Sequence, residues 1–323
     1  MFSQISAVYL FLFTLDGEAQ NTFSSISQSI EVPIANSKIC SLPASCADRN
    51  VKYYIINRQN IRNPYIVNAS DGEDVISKAP FVAGYPLKVL APGLDGYAYN
   101  TSTLINYLIP AYYHQPGDFN IIVLDLSEQI IVAGLICPIH FASVDGECLA
   151  RFLTKIYNYN SEIKLENTHI IGASYGAVVA GFAGNYFGGT LHRITALDPP
   201  NILRSVHTED IEYPLCRKSA KVVDVFHTNM GYLGHWSMLG TVDVIFNSGI
   251  IQPGIDKGKF SYTACYHARS VELYMASIIF NRSLLARRCR YSVYEYLIDQ
   301  SDHLCPLTDD PQYYIVGESM PSE

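Results

Sequence analysis

A serine flanked by two glycines has the clearest chemical meaning in this sequence. Gly172-Ala173-Ser174-Tyr175-Gly176 matches GxSxG, follows a short apolar strand pattern and opens a helix rich in small residues. In this context the serine lies on a sharp strand-to-helix turn, and the two glycines leave room for its strained backbone. The helix N-terminus favours negative charge that develops near Ser174. The pattern predicts a nucleophile; the alternative is a small-residue turn with an ordinary serine.

A nucleophilic serine needs a base and a carboxylate that orients the base. Around a GxSxG turn these partners follow in the chain order serine, acid, histidine. Asp198 stands at the C-terminal end of the next predicted strand, where catalytic groups gather in open α/β sheets. An aspartate there is also suited to capping a turn before Pro199. We predict Asp198 as the orienting acid.

Five histidines follow Asp198, namely His207, His227, His235, His267 and His303. His267 lies in a predicted loop after the last predicted strand and directly before an amphipathic helix, which suits the base. His227 ends a predicted strand and is interpreted as a core residue. His207 and His303 lie among charged loop residues, and His235 is the remaining candidate for a substrate cleft. We predict His267 as the general base and acid.

The elements that must position these residues alternate between strand and helix. Apolar runs rich in β-branched and aromatic residues predict strands at 51–57, 87–91, 120–126, 169–171, 193–197, 221–227 and 249–252. Such continuous runs are expected of strands buried on both faces of a parallel sheet. Helical patterns lie at 102–113, 143–157, 177–187 and 268–280. The alternation predicts a doubly wound α/β architecture, and no repeat or linker divides it, so we expect one domain.

Composition limits the classes of partner. The 323 residues carry 22 Lys and Arg against 30 Asp and Glu, a formal net charge of −8, and no basic run occurs. This balance disfavours a nucleic-acid binder and a protein held to anionic membranes by charge. With 49% hydrophobic and 16% charged residues, the chain can bury a substantial core.

The N-terminus predicts secretion to the extracellular space. Residues 7–15 form an apolar core, and Gly17 and Ala19 fit the small-residue positions of a signal-peptidase site, which predicts a signal peptide over 1–19. The apolar run is shorter than the ~20 residues that span a bilayer. A buried N-terminal strand or helix is the alternative.

Sequons and cysteines agree with an extracellular protein. Asn68, Asn100 and Asn281 begin N-glycosylation sequons. The chain has eight cysteines and no CxxC pair, which disfavours zinc-ribbon and thioredoxin-type sites. Secretion favours disulfides for most of these cysteines.

Five segments then carry a resemblance, in the order HIIGASYGAVVAGFAGNYFGG, ITALDPP, VVDVFHTNMGYLG, NSGIIQPG and ACYHARSVELY. They resemble the secreted pancreatic-lipase-like family, which includes triacylglycerol lipases, phospholipases A1 and yolk-protein relatives. The likeness covers roughly residues 48–305. It implies an α/β-hydrolase fold over 35–323, with a mostly parallel central sheet and helices on both faces. It also implies the triad of Ser174, Asp198 and His267.

The resemblance further implies that 87–96 is the oxyanion loop. There the backbone N–H of Leu94 would join that of Tyr175 in holding the tetrahedral oxyanion. The chain departs from the family pattern at Pro92 and Ala173, where the family has histidines, and at Tyr175, where it has leucine. The proline removes support for the loop rather than the donor itself, and we expect the bulky Tyr175 ring beside the oxyanion site.

The loops bear on the substrate. Relatives with a long lid carry it between two cysteines before the catalytic histidine, whereas here only the short, polar 255–264 precedes Cys265, and Ile255 replaces the first lid cysteine. A short lid goes with phospholipase A1 activity in relatives, and the chain ends too soon after Cys305 for the family's C-terminal β-sandwich. We expect sn-1 cleavage of phospholipids, or triacylglycerol lipase activity, at a lipid surface with peripheral membrane contact. The calcium loop of some relatives is not matched at 213–220, so we predict no metal and no cofactor.

A lipase-fold lipid-binding or yolk-type protein with little or no turnover is the alternative function. The departures at Pro92, Ala173 and Tyr175 keep this alternative open. The retained triad argues against it, because yolk-type relatives tend to have lost the serine.

The cysteines can be partly paired. Cys40 and Cys46 are close enough in sequence for a local loop, and Cys289 and Cys305 resemble a C-terminal bridge of the family. Three pairings, or buried free thiols, remain open for Cys137, Cys148, Cys216 and Cys265. Because the first lid cysteine is absent, Cys216–Cys265 is the working hypothesis.

Overall fold

The structure is a computed structural model that describes residues 46, 49–94, 104–127, 137–201, 213–255, 262–280, 284–288 and 313–321. The predicted signal peptide, the sequons at Asn100 and Asn281 and most of the 255–264 loop lie outside these residues. They stay predictions.

A central sheet is built from β1 (Lys52–Ile56), β2 (Tyr65–Asn68), β3 (Leu87–Ala91), β4 (Asn120–Asp125), β5 (Thr168–Ala173), β6 (Arg193–Leu197), β7 (Val222–His227) and β8 (Val242–Ile245). The eight strands lie in the order β2-β1-β4-β3-β5-β6-β7-β8. From β4 to β8 all neighbours are parallel, and β1 is antiparallel to both of its neighbours.

Continuous apolar runs explain the parallel centre of the sheet. Every residue of β3, β4, β5 and β6 is buried. Strands in such positions carry apolar residues on both faces, which is the pattern that predicted them. The strands expected at 51–57, 87–91, 120–126, 169–171, 193–197 and 221–227 are confirmed.

The described helices are α1 (Glu73–Ile76), α2 (Leu108–His114), α3 (Cys137–Tyr159), α4 (Tyr175–Tyr186) and α5 (Tyr262–Ile279). One buried core joins α3 and α4 to one face of the sheet, and a second joins α2 and α5 to the other face. A mostly parallel sheet between two helical layers, with a strand–turn–helix at the GxSxG serine, is the α/β-hydrolase fold, as predicted. Among the described helices, none has the length and apolarity that a membrane span requires.

The prediction of a strand at 249–252 is wrong. The sheet takes β8 instead, and Gly249 ends a 3₁₀ turn (Asn247–Gly249) with a φ of 73°. The buried Gln252 donates side-chain hydrogen bonds to the carbonyls of Thr228 and Phe246, so this stretch is a loop held from inside. Asp243 in the middle of β8 breaks the apolar run that would have indicated a strand.

A C-terminal segment, 313–321, returns to the edge where the parallel strands begin. It begins with β10 (Tyr313–Ile315), which pairs antiparallel with β9 (Leu285–Arg287). Its Glu318 carboxylate accepts hydrogen bonds from Lys88 Nζ at 2.5 Å and from the hydroxyl groups of Tyr112 and Tyr274. The segment thereby covers the edge of the sheet at which the parallel strands begin.

Charge sets the ionisation of Glu318. Burial alone would raise the pKa of its carboxyl, but the positive charges of Lys88 and Arg193 outweigh burial and hold the pKa below its ordinary value. Arg193 is itself anchored, because it pairs with Asp224 at 2.8 Å and donates to the carbonyl of Gly317 at 2.7 Å. The network is therefore an ionised one.

A disulfide joins Cys46 to Cys148 on α3, across 102 residues of sequence. The predicted Cys40–Cys46 pair is therefore wrong: closeness in sequence matters less here than the position of α3, which places Cys148 beside Cys46. The Cys216–Cys265 pair is also wrong, because Cys216 carries a free thiol. Cys289 and Cys305 lie outside the described residues.

Candidate active site

Ser174 occupies the turn between β5 and α4. Its backbone has a φ of 51° and a ψ of −119°, a conformation that non-glycine residues rarely adopt and that marks functional turns. Its N–H donates to the carbonyl of Leu197 at 2.9 Å, which fixes the turn to the end of β6.

The two glycines of the motif permit this turn sterically. A Cβ on Gly172 would lie 2.4 Å from the carbonyl oxygen of Gly176, and a Cβ on Gly176 would lie 2.0 Å from that of Ala91. Both distances are far below van der Waals contact. The first turn of α4 consequently packs directly against the end of β3, where the predicted oxyanion loop begins.

Asp198 follows β6 and is fully buried, with a φ of 47°. Its Oδ1 accepts hydrogen bonds from the backbone N–H groups of Thr228 at 2.8 Å and Asn229 at 3.1 Å. Gly234 lies behind the carboxylate, since a Cβ there would stand 2.6 Å from both oxygens. Such bonds fix the orientation of the buried carboxylate.

His267 meets the other oxygen of Asp198. Its Nδ1 donates to Asp198 Oδ2 at 2.5 Å, and its side chain is 14% exposed. This bond assigns the tautomer in which Nε2 is free to accept a proton. Within the described residues no hydrogen bond joins His267 to Ser174 Oγ; in free enzymes this bond is often long and shortens when substrate binds.

The structure corrects the local setting of His267. We predicted a loop residue directly before a helix, but α5 begins at Tyr262, so His267 lies inside the helix. Its carbonyl accepts a hydrogen bond from the hydroxyl of Ser270 at 2.9 Å. The helix therefore starts six residues before the predicted start at 268.

The structure describes the predicted oxyanion loop, 87–96, as far as Leu94. Leu94 packs partly buried on the core that also holds α4. Tyr175, the first residue of α4, is 1% exposed and its hydroxyl donates to Asp145 Oδ2 at 2.7 Å. The bulky ring is thus buried in the core with its hydroxyl on Asp145, and the oxyanion role of the Tyr175 backbone N–H stays a prediction.

The comparisons with known proteins decide the family. Residues 19–303 match the sequence profile of the lipase family. The chain belongs to the lipase family. Its described fold and GxSxG turn agree with that membership.

Individual relatives of this lipase-family chain cover it in part. It is 41% identical over 128 residues to lipase member H of Rattus norvegicus and 36% identical over 147 residues to phospholipase A1 member A of Rattus norvegicus. These matches cover 39% and 44% of this chain, and 28% and 31% of the two relatives. The chain thus aligns with about a third of their length. A solved α/β hydrolase from a deep-sea metagenome library is similar over 56% of this chain and 72% of its own, with 17% identity and a TM-score of 0.29.

The structure describes two of the other histidines that follow Asp198 in this lipase-family chain, His227 and His235. His227 is fully buried at the end of β7 and its Nε2 meets Asp243 Oδ1 at 2.9 Å, which agrees with a core role. The ring of His235 packs on Tyr213, with centroids 4.4 Å apart, and burial lowers its pKa. His207 and His303 lie outside the described residues.

Sequence reasoning missed the residues that hold Asp198. Thr228, Asn229 and Gly234 contribute backbone atoms or empty space rather than reactive groups, so their residue types give little signal. A usable signal was their position: Thr228 and Asn229 directly follow β7, and Asp198 directly follows its neighbour β6. Among the described residues, no group of three or more His, Cys, Asp or Glu side chains could hold a metal ion.

Proposed function

We propose that this lipase-family chain is a serine carboxylic-ester hydrolase that acts on lipids. The hydrogen bond from His267 to Asp198 carries the proposal, because Asp198 is held on its other oxygen by two backbone N–H groups. A histidine oriented in this way is suited to act as a base towards the serine on the neighbouring turn.

The reaction would proceed in two steps. Ser174 Oγ attacks the ester carbonyl carbon while His267 Nε2 takes its proton, and the backbone N–H groups of Leu94 and Tyr175 hold the oxyanion. His267 then gives the proton to the departing alcohol oxygen as the ester C–O bond breaks, leaving an acyl-serine. Water activated by His267 hydrolyses the acyl-serine, releases the fatty acid and restores Ser174.

The proposed substrate class is a phospholipid cut at the sn-1 position, with triacylglycerol as the second substrate. The short 255–264 loop and the similarity to a relative named phospholipase A1 member A support the first. Exposed apolar side chains in the loops after β7 and β8 support contact with a lipid surface: Tyr232, Leu233 and Ile251 are 59%, 37% and 44% exposed. The Cys46–Cys148 disulfide supports secretion, since disulfides persist in oxidising compartments.

Covalent labelling tests the proposal. A fluorophosphonate should label the purified chain, and Ser174→Ala should abolish both labelling and ester hydrolysis. Ser237→Ala, an exposed serine in the loop after β7, is the matched control and should retain both. A folded wild-type chain that neither labels nor hydrolyses esters would favour the alternative, a lipid-binding protein without turnover.

Substrate preference is tested side by side on phosphatidylcholine vesicles and triolein emulsions. We expect faster release of sn-1 fatty acid from phosphatidylcholine. Preferential hydrolysis of triolein would overturn the phospholipase assignment and leave the serine-hydrolase assignment standing.

A further inference from the structure

Three buried polar side chains stand behind the nucleophile turn, and the mechanism above does not use them. Tyr175, Asp145 and Arg49 are 1%, 1% and 4% exposed. They come from α4, α3 and the segment before β1, so their meeting is a property of the fold rather than of local sequence. We call them the Tyr175–Asp145–Arg49 relay.

Hydrogen bonds join the relay from end to end. Tyr175 donates its hydroxyl to Asp145 Oδ2 at 2.7 Å. Arg49 donates Nε and Nη2 to Asp145 Oδ1 at 2.9 and 2.6 Å, and Nη2 also meets Oδ2 at 2.7 Å. Burial, followed by the charge of Asp145, raises the pKa of the Tyr175 hydroxyl, so it remains a donor. The buried charges of Asp145 and Arg49 compensate each other.

The surroundings of the relay leave it little freedom. The Arg49 guanidinium lies 4.4 Å from the centre of the Phe141 ring. The Cys46–Cys148 disulfide ties the segment of Arg49 to the helix of Asp145, because Cys46 lies three residues before Arg49 and Cys148 lies three residues after Asp145. Next to Asp145, a Cβ on Gly146 would stand 2.4 Å from the Cβ of Phe182, so α3 and α4 approach as closely as a glycine permits.

One end of the relay is the residue that follows the nucleophile. The backbone N–H of Tyr175 is the proposed oxyanion donor, and the side chain of the same residue is anchored to Asp145. An anchored hydroxyl restrains the side-chain torsions of the first residue of α4, and through its Cα it restrains the direction of the N–H that the Ser174 turn presents. Displacements of about 1 Å at such donors can lower rates by up to ~100-fold.

We propose that Asp145 and Arg49 are positioning residues that act through the Tyr175 hydroxyl to align the oxyanion donor beside Ser174. The inference rests on the proposed function and extends it to residues that do not touch the substrate. It also assigns a positioning role to the hydroxyl of Tyr175, the residue that replaces the family's leucine.

The test compares Tyr175→Phe and Asp145→Asn with Tyr157→Phe. The control removes another tyrosine hydroxyl bonded in this half of the fold, to Thr168 Oγ1 at 3.0 Å, without contacting the relay. All rates are expressed per fluorophosphonate-reactive site on a soluble short-chain ester. An alkyl trifluoromethyl ketone, which forms a tetrahedral adduct with an active-site serine, reports on the oxyanion donors through its inhibition constant.

We expect Tyr175→Phe and Asp145→Asn to lower kcat about tenfold with KM unchanged, because only the transition state uses the donor. The inhibition constant of the ketone should rise by the same factor, and the double variant should lose no more than the worse single variant. Tyr157→Phe should match the wild type in both quantities.

One result would overturn the proposal that the relay positions the oxyanion donor. Suppose that both variants keep the wild-type kcat per reactive site and the wild-type inhibition constant of the ketone, whatever their melting temperatures. The three residues would then only stabilise the fold. If Asp145→Asn, which leaves the buried Arg49 without its counter-charge, yields no folded protein, the same two quantities are read from Tyr175→Phe. Retention of full hydrolysis by Ser174→Ala would instead contradict the proposed function, so the two failures are distinguishable.

Discussion

At the scale of single residues, Asp198 is the group whose surroundings most constrain the chemistry. Its two oxygens have separate partners: one meets backbone N–H groups of Thr228 and Asn229, and the other meets His267. Neither oxygen can rotate away without breaking a bond. The position of the imidazole is therefore set by the end of β7 as much as by α5.

Replacing the acid should expose this dependence. We expect Asp198→Asn to lower kcat by about 10⁴-fold with little change in KM, because the amide favours the wrong histidine tautomer. The measurement is steady-state hydrolysis of a soluble ester. Asp125→Asn is the control, since Asp125 ends β4 and bonds to Tyr54 and Ser127 rather than to His267. An equal fall in the control would contradict the role of Asp198.

Gly234 gives a second prediction from geometry alone. Gly234→Ala would place a methyl group 2.6 Å from both Asp198 oxygens, so the carboxylate or the loop must move. Because small misplacements near the reacting groups are costly, we expect kcat to fall by roughly 10- to 100-fold while the chain stays folded. Circular dichroism checks that the variant is folded, and its kcat checks the predicted fall in rate. Unchanged kcat would show that the loop after β7 yields freely.

The residue scale also shows what sequence can and cannot predict about the site. GxSxG and a strand-end aspartate predicted Ser174 and Asp198 because their chemistry requires special backbone positions. The structure joins Asp198 to His267 by a hydrogen bond, and the catalytic roles stay proposals. The direction of the Tyr175 ring could not be predicted, since it depends on an aspartate 30 residues earlier on another helix.

At the scale of elements, the disulfide ties α3 to the segment before β1. In the chain-entropy description, cross-linking a loop of about 100 residues stabilises a protein by roughly 4–5 kcal/mol. We expect Cys46→Ala/Cys148→Ala to lower the free energy of unfolding by about this amount in urea. Cys216→Ala, which removes a free thiol, should change it little. A loss no larger than that of the control would contradict the prediction.

Elements were predicted well where burial is uniform and poorly where it is not. β3 to β6 are buried throughout and were recognised as apolar runs. β8 lies at the edge of the sheet, and only one of its four residues is buried. Its residues therefore form no continuous apolar run. Cysteine pairing failed for a related reason: it depends on which helices meet, and spacing along the chain does not encode that.

At the scale of the whole molecule, a buried ionic network around Glu318 covers the edge of the sheet at which the parallel strands begin. Its members lie far apart in sequence. Lys88 and Glu318 are 230 residues apart, and Arg193 and Glu318 are 125 apart. Neither the spacing nor the residue types of these three could have predicted their meeting, because each alone resembles a surface charge.

The network makes stability depend on acid. The folded-state pKa of Glu318 lies below its ordinary value of 4.5, so the unfolded chain takes up the proton first as the pH falls. Its stabilisation is fully present above that value and is lost as the pH falls through the folded-state pKa. We expect unfolding free energy to decrease more steeply with acid in the wild type than in Glu318→Gln. Exposed Glu162→Gln should keep the wild-type slope, and identical slopes in all three would contradict the prediction.

The same segment has a consequence for how the chain reaches its fold. β3 and β6 are synthesised well before residues 313–321, yet Lys88 and Arg193 receive their Glu318 contacts only when that segment arrives. Contacts of such long range slow folding, and Lys88 meets the Glu318 carboxylate only after this late segment has been made. Glu318 lies well beyond β8 in the sequence, so the polar network at this edge is completed only after all eight described strands of the central sheet have been synthesised.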